Sequence, residues 1–200
     1  CPDDDIIANR MERTGLPESA FDLAVGNVPY SDAIRIDNTV IHDWFIRHSL
    51  DTVRPGGLVA GLTSRYTLDK NTTGMRRELS RRAELVAACR LPRETFGRQA
   101  GTEVVSDILV LRKRDEPLAD VDAAWVDAVE FSQGVNANRL FVEHPEYVAG
   151  TMTVGSGPFG PQIDVTGTND IGRLGENVER ILTGQLEAYG IGLHDRLGER

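Results

Sequence analysis

Residues 21–30 constrain the fold more than any other stretch of the chain. Phe21-Asp22-Leu23-Ala24-Val25 is short, apolar and rich in Val and Leu, the composition of a strand buried in a parallel sheet. It passes directly into Gly26-Asn27-Val28-Pro29-Tyr30, which supplies a glycine, a carboxamide, a proline and an aromatic ring in five positions. In a doubly wound α/β sheet, ligands bind in the crevice beyond the carboxyl ends of the strands. Asn27 is therefore expected at the mouth of such a crevice, with Pro29 stiffening the loop and Tyr30 offering a flat face.

That set suits a flat group bearing an amine. The exocyclic amine of adenine, like an amide nitrogen, is a poor nucleophile because its lone pair is delocalised. Two acceptors facing its two hydrogens favour a pyramidal nitrogen whose lone pair points at an electrophile. The side-chain oxygen of Asn27 is one candidate acceptor and the main-chain carbonyl of Val28 the other. Tyr30 can stack on the ring, a contact worth about 1–3 kcal/mol per base. No charged base is needed at this step, so catalysis would rest on positioning and preorganised electrostatics.

Asn27-Val28-Pro29-Tyr30 resembles the Asn-Pro-Pro-Tyr signature of S-adenosylmethionine-dependent amino-methyltransferases, chiefly the N6-adenine DNA methyltransferases. Val28 stands where the family usually has proline; it keeps the carbonyl and changes only the stiffness of the loop. Arg54-Pro55-Gly56-Gly57-Leu58-Val59-Ala60 is similar to the segment at which a methyltransferase helix turns back into the sheet. Thr63-Ser64-Arg65-Tyr66-Thr67-Leu68 and Thr102-Glu103-Val104-Val105-Ser106-Asp107-Ile108 are similar to methyltransferase segments of large mobile-element and phage-like bacterial proteins, where a helicase often follows. The resemblance covers residues 5–114, with looser likeness over 141–152.

The resemblance implies an α/β fold: the C-terminal half of a doubly wound, mostly parallel Rossmann-like sheet. It implies S-adenosylmethionine as cofactor, DNA as partner, DNA modification serving restriction-modification, defence or replication, and Asn27, Val28, Pro29 and Tyr30 as the catalytic loop. The adenine of the cofactor would be held by the loop at 9–12, through Asn9, Met11 and Glu12. Arg65 and Tyr66 end a second strand on the same crevice, and Arg76 and Arg77 lie on the basic side of a helix; all four are candidates for contact with nucleic acid. The family's glycine-rich turn and the acidic residue for the cofactor ribose do not occur ahead of residue 21. The chain is accordingly expected to be a fragment, inactive alone, of a parent continuous with a helicase or other domain. Two other functions share these features: methylation of a protein glutamine amide, and a non-catalytic nucleic-acid-binding module.

Charge divides the 200 residues into three. Residues 1–64 carry a net −5, residues 65–114 a net +6 and residues 115–200 a net −10, within a total of −9. The basic middle can meet a phosphate backbone locally although the whole chain is acidic. Two cysteines, Cys1 and Cys89, make neither a disulfide framework nor a metal cluster and fit a cytoplasmic protein. His42 and His48 are six apart, on different faces of a helix, and form no metal pair.

Two domains are expected: 1–114, the partial catalytic domain, and 115–200, an acidic connector with a small α+β extension. Within them the patterns predict a helix from 39 to 53 with Asn38 as its N-cap, a strand over 58–63 and a helix over 71–83. Strands over 85–91 and 104–111 should form an antiparallel pair at one sheet edge. Beyond 114 the patterns predict helical stretches at 125–131 and 138–148, the second broken by Pro145. A hairpin over 152–165 and an amphipathic helix over 172–189 complete the chain.

Overall fold

The computed structural model describes residues 13–29, 34–96, 104–157 and 160–191. Asn9, Met11, Glu12 and Tyr30, together with Thr102 and Glu103, lie outside the described residues.

Strand β1 (Phe21–Asn27) opens the sheet. A short hairpin follows, β2 (Arg35–Ile36) and β3 (Thr39–Val40), turned by Asp37 and Asn38 at φ of 47° and 62°. Two successive positive φ angles make the tight turn that matches strand twist, and Asp and Asn tolerate it better than most residues. This corrects the expected helix start. Asn38 is a turn residue, and helix α1 (Ile41–Thr52) begins after Val40 with no side-chain cap.

At the other end of α1 the chain enters β4 (Val53–Ser64) at once, so the strand starts five residues earlier than its apolar run suggested. Gly57 allows this. A Cβ there would lie 2.8 Å from the carbonyl oxygen of Arg54 and 3.1 Å from that of Asp22. β4 pairs in parallel with β1, with Leu23 opposite Leu58 and Asn27 opposite Leu62.

Helices α2 (Tyr66–Asp69) and α3 (Gly74–Arg82) lead to β5 (Ala83–Leu91) and β6 (Ser106–Lys113). β6 inserts between β4 and β5 and runs antiparallel to both, giving the order β1-β4-β6-β5. The sheet is therefore mixed, and the expectation of a mostly parallel one is corrected. A parallel return needs a crossover, usually a helix, and the described part of the β5–β6 link is a 3-10 turn over Arg93–Phe96. The antiparallel pair at one sheet edge is as expected.

Residues after 114 contribute a 3-10 turn (Ala124–Val126), the hairpin β7 (Ala128–Ser132) and β8 (Val135–Asn138), and the short helix α4 (Arg139–Glu143). The hairpin replaces the helix expected at 125–131, because Gln133 and Gly134 at φ of 53° and 74° reverse the chain. Asn138 caps α4 by accepting from the Leu140 amide at 3.1 Å, and Pro145 opens a separate 3-10 turn. The predicted second hairpin is present as β9 (Thr151–Gly157) and β10 (Gly160–Thr166), and the last helix as α5 (Ile171–Ala188).

One apolar cluster runs through these pieces. Ile46, Leu50, Val53, Leu68, Leu79 and Leu109 pack in it with Trp125, Phe141, Val148 and Val165. A second cluster seats Leu174 and Ile181 of α5 against Cys89 and Leu91. Gln185 of α5 bonds both main-chain groups of Ala88, accepting from its N–H at 3.0 Å and donating to its carbonyl at 2.8 Å. The carboxamide thus occupies the outer edge of β5 in place of a further strand. At the opposite edge, β1 exposes Phe21, Leu23 and Val25, the last at 73%. Among the described residues no helix is long and apolar enough to cross a membrane.

Candidate functional site

The carboxyl ends of β1 and β4 lie side by side. The Val28 amide continues the ladder past the strand end, donating to the Leu62 carbonyl at 2.9 Å, and its side chain is buried against the Gly61 backbone. Asn27, the last residue of β1, is exposed, and among the described residues its carboxamide has no hydrogen-bond partner. It lines a cavity of about 410 Å³ whose walls include Leu23, Val25, Phe45, Ile46 and Val59. An acceptor carboxamide at the end of an apolar slot can fix the polar edge of a flat ring whose faces are dry. Pro29 follows, exposed, before the described chain breaks off.

Arg65 and Tyr66 sit just past the end of β4, on the same rim of the sheet. The Arg65 guanidinium lies 4.1 Å from the centroid of the Tyr66 ring. It donates to the Tyr66 hydroxyl at 2.8 Å, to Gln162 Oε1 at 3.1 Å and to Asp69 at 3.4 Å. Arg65 is buried and Tyr66 is 38% exposed, so the tyrosine is the accessible member of the pair.

Arg76 and Arg77 do not share a surface. Arg76 is buried, and its guanidinium donates to the carbonyls of Val126 (2.6 Å), Thr67 (3.2 Å) and Lys70 (2.5 Å). Burial pulls its pKa below the usual arginine range, against the raising influence of Asp69, Asp127 and Asp43. A phosphate could engage this side chain only by displacing those carbonyls, so Arg76 is a strut between α2, α3 and the segment at 126. Arg77 is exposed, bonded to Thr73 Oγ1 and 3.8 Å from Asp127. The 3.6-residue period places 76 and 77 on neighbouring faces, and only the inward one is covered by the later segment.

A buried charge network lies behind this rim. Arg90 on β5 makes a bidentate pair with Asp107 on β6, at 2.8 and 2.9 Å, and reaches Asp69 at 2.8 Å. Phe141 stacks beneath it, 4.3 Å from ring centroid to guanidinium carbon. Asp69 also accepts from the Asn138 amide at 2.9 Å. Burial opposes the charge on Arg90, but the two carboxylates outweigh it and hold the guanidinium protonated above its ordinary range. Burial likewise pushes Asp107 up from the usual carboxylate range, against the lowering pull of Arg90. Sequence reasoning did not select these residues. The available signal was a single charge at the edge of an apolar strand run, Arg90 in one and Asp107 in the next, which requires a partner of opposite sign once the strands pair.

No known family profile matches the chain. Among solved structures it is similar to methyltransferases. The M protein of the type I restriction enzyme EcoKI superposes at a TM-score of 0.45 with 21% identity, over 54% of this chain and 24% of that one. A class I S-adenosylmethionine-dependent methyltransferase from Listeria monocytogenes gives 0.39 and 18%, over 52% and 36% of the two chains. A type I modification subunit from Vibrio vulnificus gives 0.42 and 18%, over 50% and 24%. Among characterised sequences, the defense against restriction protein B of Escherichia phage P1 is 30% identical over 160 residues. That match takes in 74% of this chain but 7% of the phage protein's length.

Proposed function

We propose that this chain is the substrate-handling half of an S-adenosylmethionine-dependent DNA methyltransferase acting on the N6 amine of a flipped adenine. The observation that carries the reading is the placement of Asn27: last residue of a strand in a parallel pair, exposed, and facing an apolar cavity beside the second strand end. Similarity to a phage protein of defence against restriction supports DNA as the partner. A helicase in continuity with the chain belongs to the same reading.

Asn27 offers its side-chain oxygen to one hydrogen of the adenine amine and the carbonyl of Val28 accepts the other. The Val28 carbonyl is held before the base arrives, by the bond of the Val28 amide to Leu62 and the burial of its side chain. Tyr30 stacks on the base, and the exposed Tyr66 and Arg77 lie toward the nucleic acid, with Arg65 buried behind Tyr66. The cavity fits the acceptor side of the reaction, with dry walls and one carboxamide. Asn9, Met11 and Glu12 are the residues proposed to hold the cofactor. When bound, S-adenosylmethionine would supply an electrophilic methyl group on a sulfonium, with a neutral thioether as leaving group and the N6 proton released to solvent.

The test is labelled-methyl transfer to DNA by the gene's full polypeptide, with a glutamine-bearing protein substrate run in parallel. Asn27→Ala is expected to lower transfer to DNA by a factor of about 10²–10³, by analogy with loss of one preorganised oxyanion donor. Binding of S-adenosylmethionine should survive. Near-normal transfer by Asn27→Ala, or preference for the protein substrate, would overturn the reading.

A further inference from the structure

A second cleft opens on the same rim, between α2, the β7–β8 turn and the β9–β10 hairpin. It has a volume of about 360 Å³ and is lined by Arg65, Tyr66, Asn71, Asn136 and Gln162, with Lys70 at its side. Its two walls are far apart in sequence: 65–71 follow the end of β4, whereas 134–136 and 160–162 belong to the two later hairpins.

Three carboxamides and a ring converge there. Asn136 Nδ2 donates to Asn71 Oδ1 across the cleft at 2.9 Å. A single bond between two carboxamides leaves one amine and one carbonyl outward, whichever way the two groups are turned. Gln162 is oriented by chemistry: a guanidinium donates and cannot accept, so Arg65 fixes the Gln162 carbonyl inward and its amine outward. Gly157 lets that carboxamide lie across the hairpin, since a Cβ at 157 would collide with it. Tyr66 is covered on one face by the Arg65 guanidinium and is held through its hydroxyl by the same group.

Electrostatics leave the cleft open to an anion-bearing ligand. Asp69 is its sole carboxylate lining, and that group is committed to Arg90, Arg65 and the Asn138 amide. Arg65 gives it local positive charge, while the Lys70 ammonium lies 2.9 Å from His42 Nε2 and 3.9 Å from Asp43.

We propose that this cleft holds one unstacked nucleotide of a single strand, with its base stacked on Tyr66 and its edge read by Asn71, Asn136 and Gln162. Planar carboxamides pair in register with the donors and acceptors of a base edge, and a tyrosine face accepts any base. The hairpins after residue 114 thereby become the part of the molecule that selects sequence. The inference rests on the chain acting on nucleic acid, but it does not depend on Asn27.

The experiment uses the 200-residue chain and fluorescent oligonucleotides dA10, dC10 and dT10, followed by anisotropy at two salt concentrations. The wild type is expected to bind with unequal affinity for the three. Tyr66→Ala should weaken all three about tenfold, and Tyr66→Phe should stay within about twofold of wild type. Asn136→Ala should flatten the preference while leaving the weakest oligonucleotide unchanged. Tyr66 and Asn136 are both at least partly exposed, and circular dichroism checks that the variants fold. Absence of binding overturns the proposal, as does binding that salt removes equally from wild type and both alanine variants, or an equal response to a polyglutamate competitor. Methyl transfer that still depends on Asn27 after such a result would sink the cleft alone; transfer independent of Asn27 with the cleft effects intact would sink the proposed function alone.

Discussion

Arg90 is fully buried, and both of its carboxylate partners lie inside the same core. Removing it leaves Asp107 buried without its guanidinium and Asp69 with only Arg65 and the Asn138 amide. Arg90→Met is therefore expected to cost about 3–5 kcal/mol in urea unfolding, the range for breaking one partner out of a buried pair. Arg90→Lys should recover little, since an ammonium cannot reproduce the fork onto Asp107 while reaching Asp69. Its neighbour Cys89 gives a pH effect. Burial, helped by Asp107, pushes the thiol from 9.0 to about 12. The unfolded chain ionises first, so this group leaves stability unaffected below pH 9 and erodes it as the pH climbs from 9 toward 12. In the native protein at pH 8, Cys89 should resist iodoacetamide and react only on unfolding, as read by mass spectrometry of the peptide containing it.

At the scale of elements, the hairpin at 35–40 isolates a single turn. Asn38 sits at a φ of 62°, and a β-branched residue there meets the left-handed penalty of about 1–2 kcal/mol. Asn38→Val should open the hairpin, seen as faster amide exchange at 35–41, whereas Asn38→Gly should not. The same turn shows why some elements were legible and others not. Long apolar runs such as 85–91, and the spacing of Leu174, Val178 and Ile181, declare their structure because burial repeats with the period of the element. Asp37-Asn38 and Gln133-Gly134 each decide the local fold through two backbone angles, and neither stands out among ordinary polar residues. Asn27 was legible at the strand end because a sharp change from apolar run to Gly-Asn-Val-Pro marks it. The amide-lined cleft was not, since its residues at 65–71, 134–136 and 160–162 share no pattern until the chain is folded. The insertion of β6 between β4 and β5 was lost for a similar reason: an apolar strand carries no mark of which strands will flank it.

The whole molecule is held by contacts that cross residue 114. Trp125, Phe141, Val148 and Val165 complete the cluster around Leu68 and Leu109, Asn138 donates to Leu68 and Trp125 carbonyls, and Arg76 reaches Val126. A chain ending at Arg114 would bare that apolar surface and leave the guanidinium of Arg76 short of one acceptor. It is expected to lose its cooperative thermal transition and to bind a hydrophobic dye, and a sharp two-state melt would show instead that residues 1–114 stand alone. The glutamine at 185 has a consequence of another kind. By answering both main-chain groups of Ala88 it plugs one flank of the sheet, while among the described residues no strand pairs with the outer side of β1, whose side chains stay greasy. The sheet is in this sense a ribbon with a selvage: it can be widened from one side only, and any strand joined there must take its register from Leu23 and Val25 and ends its run beside Asn27.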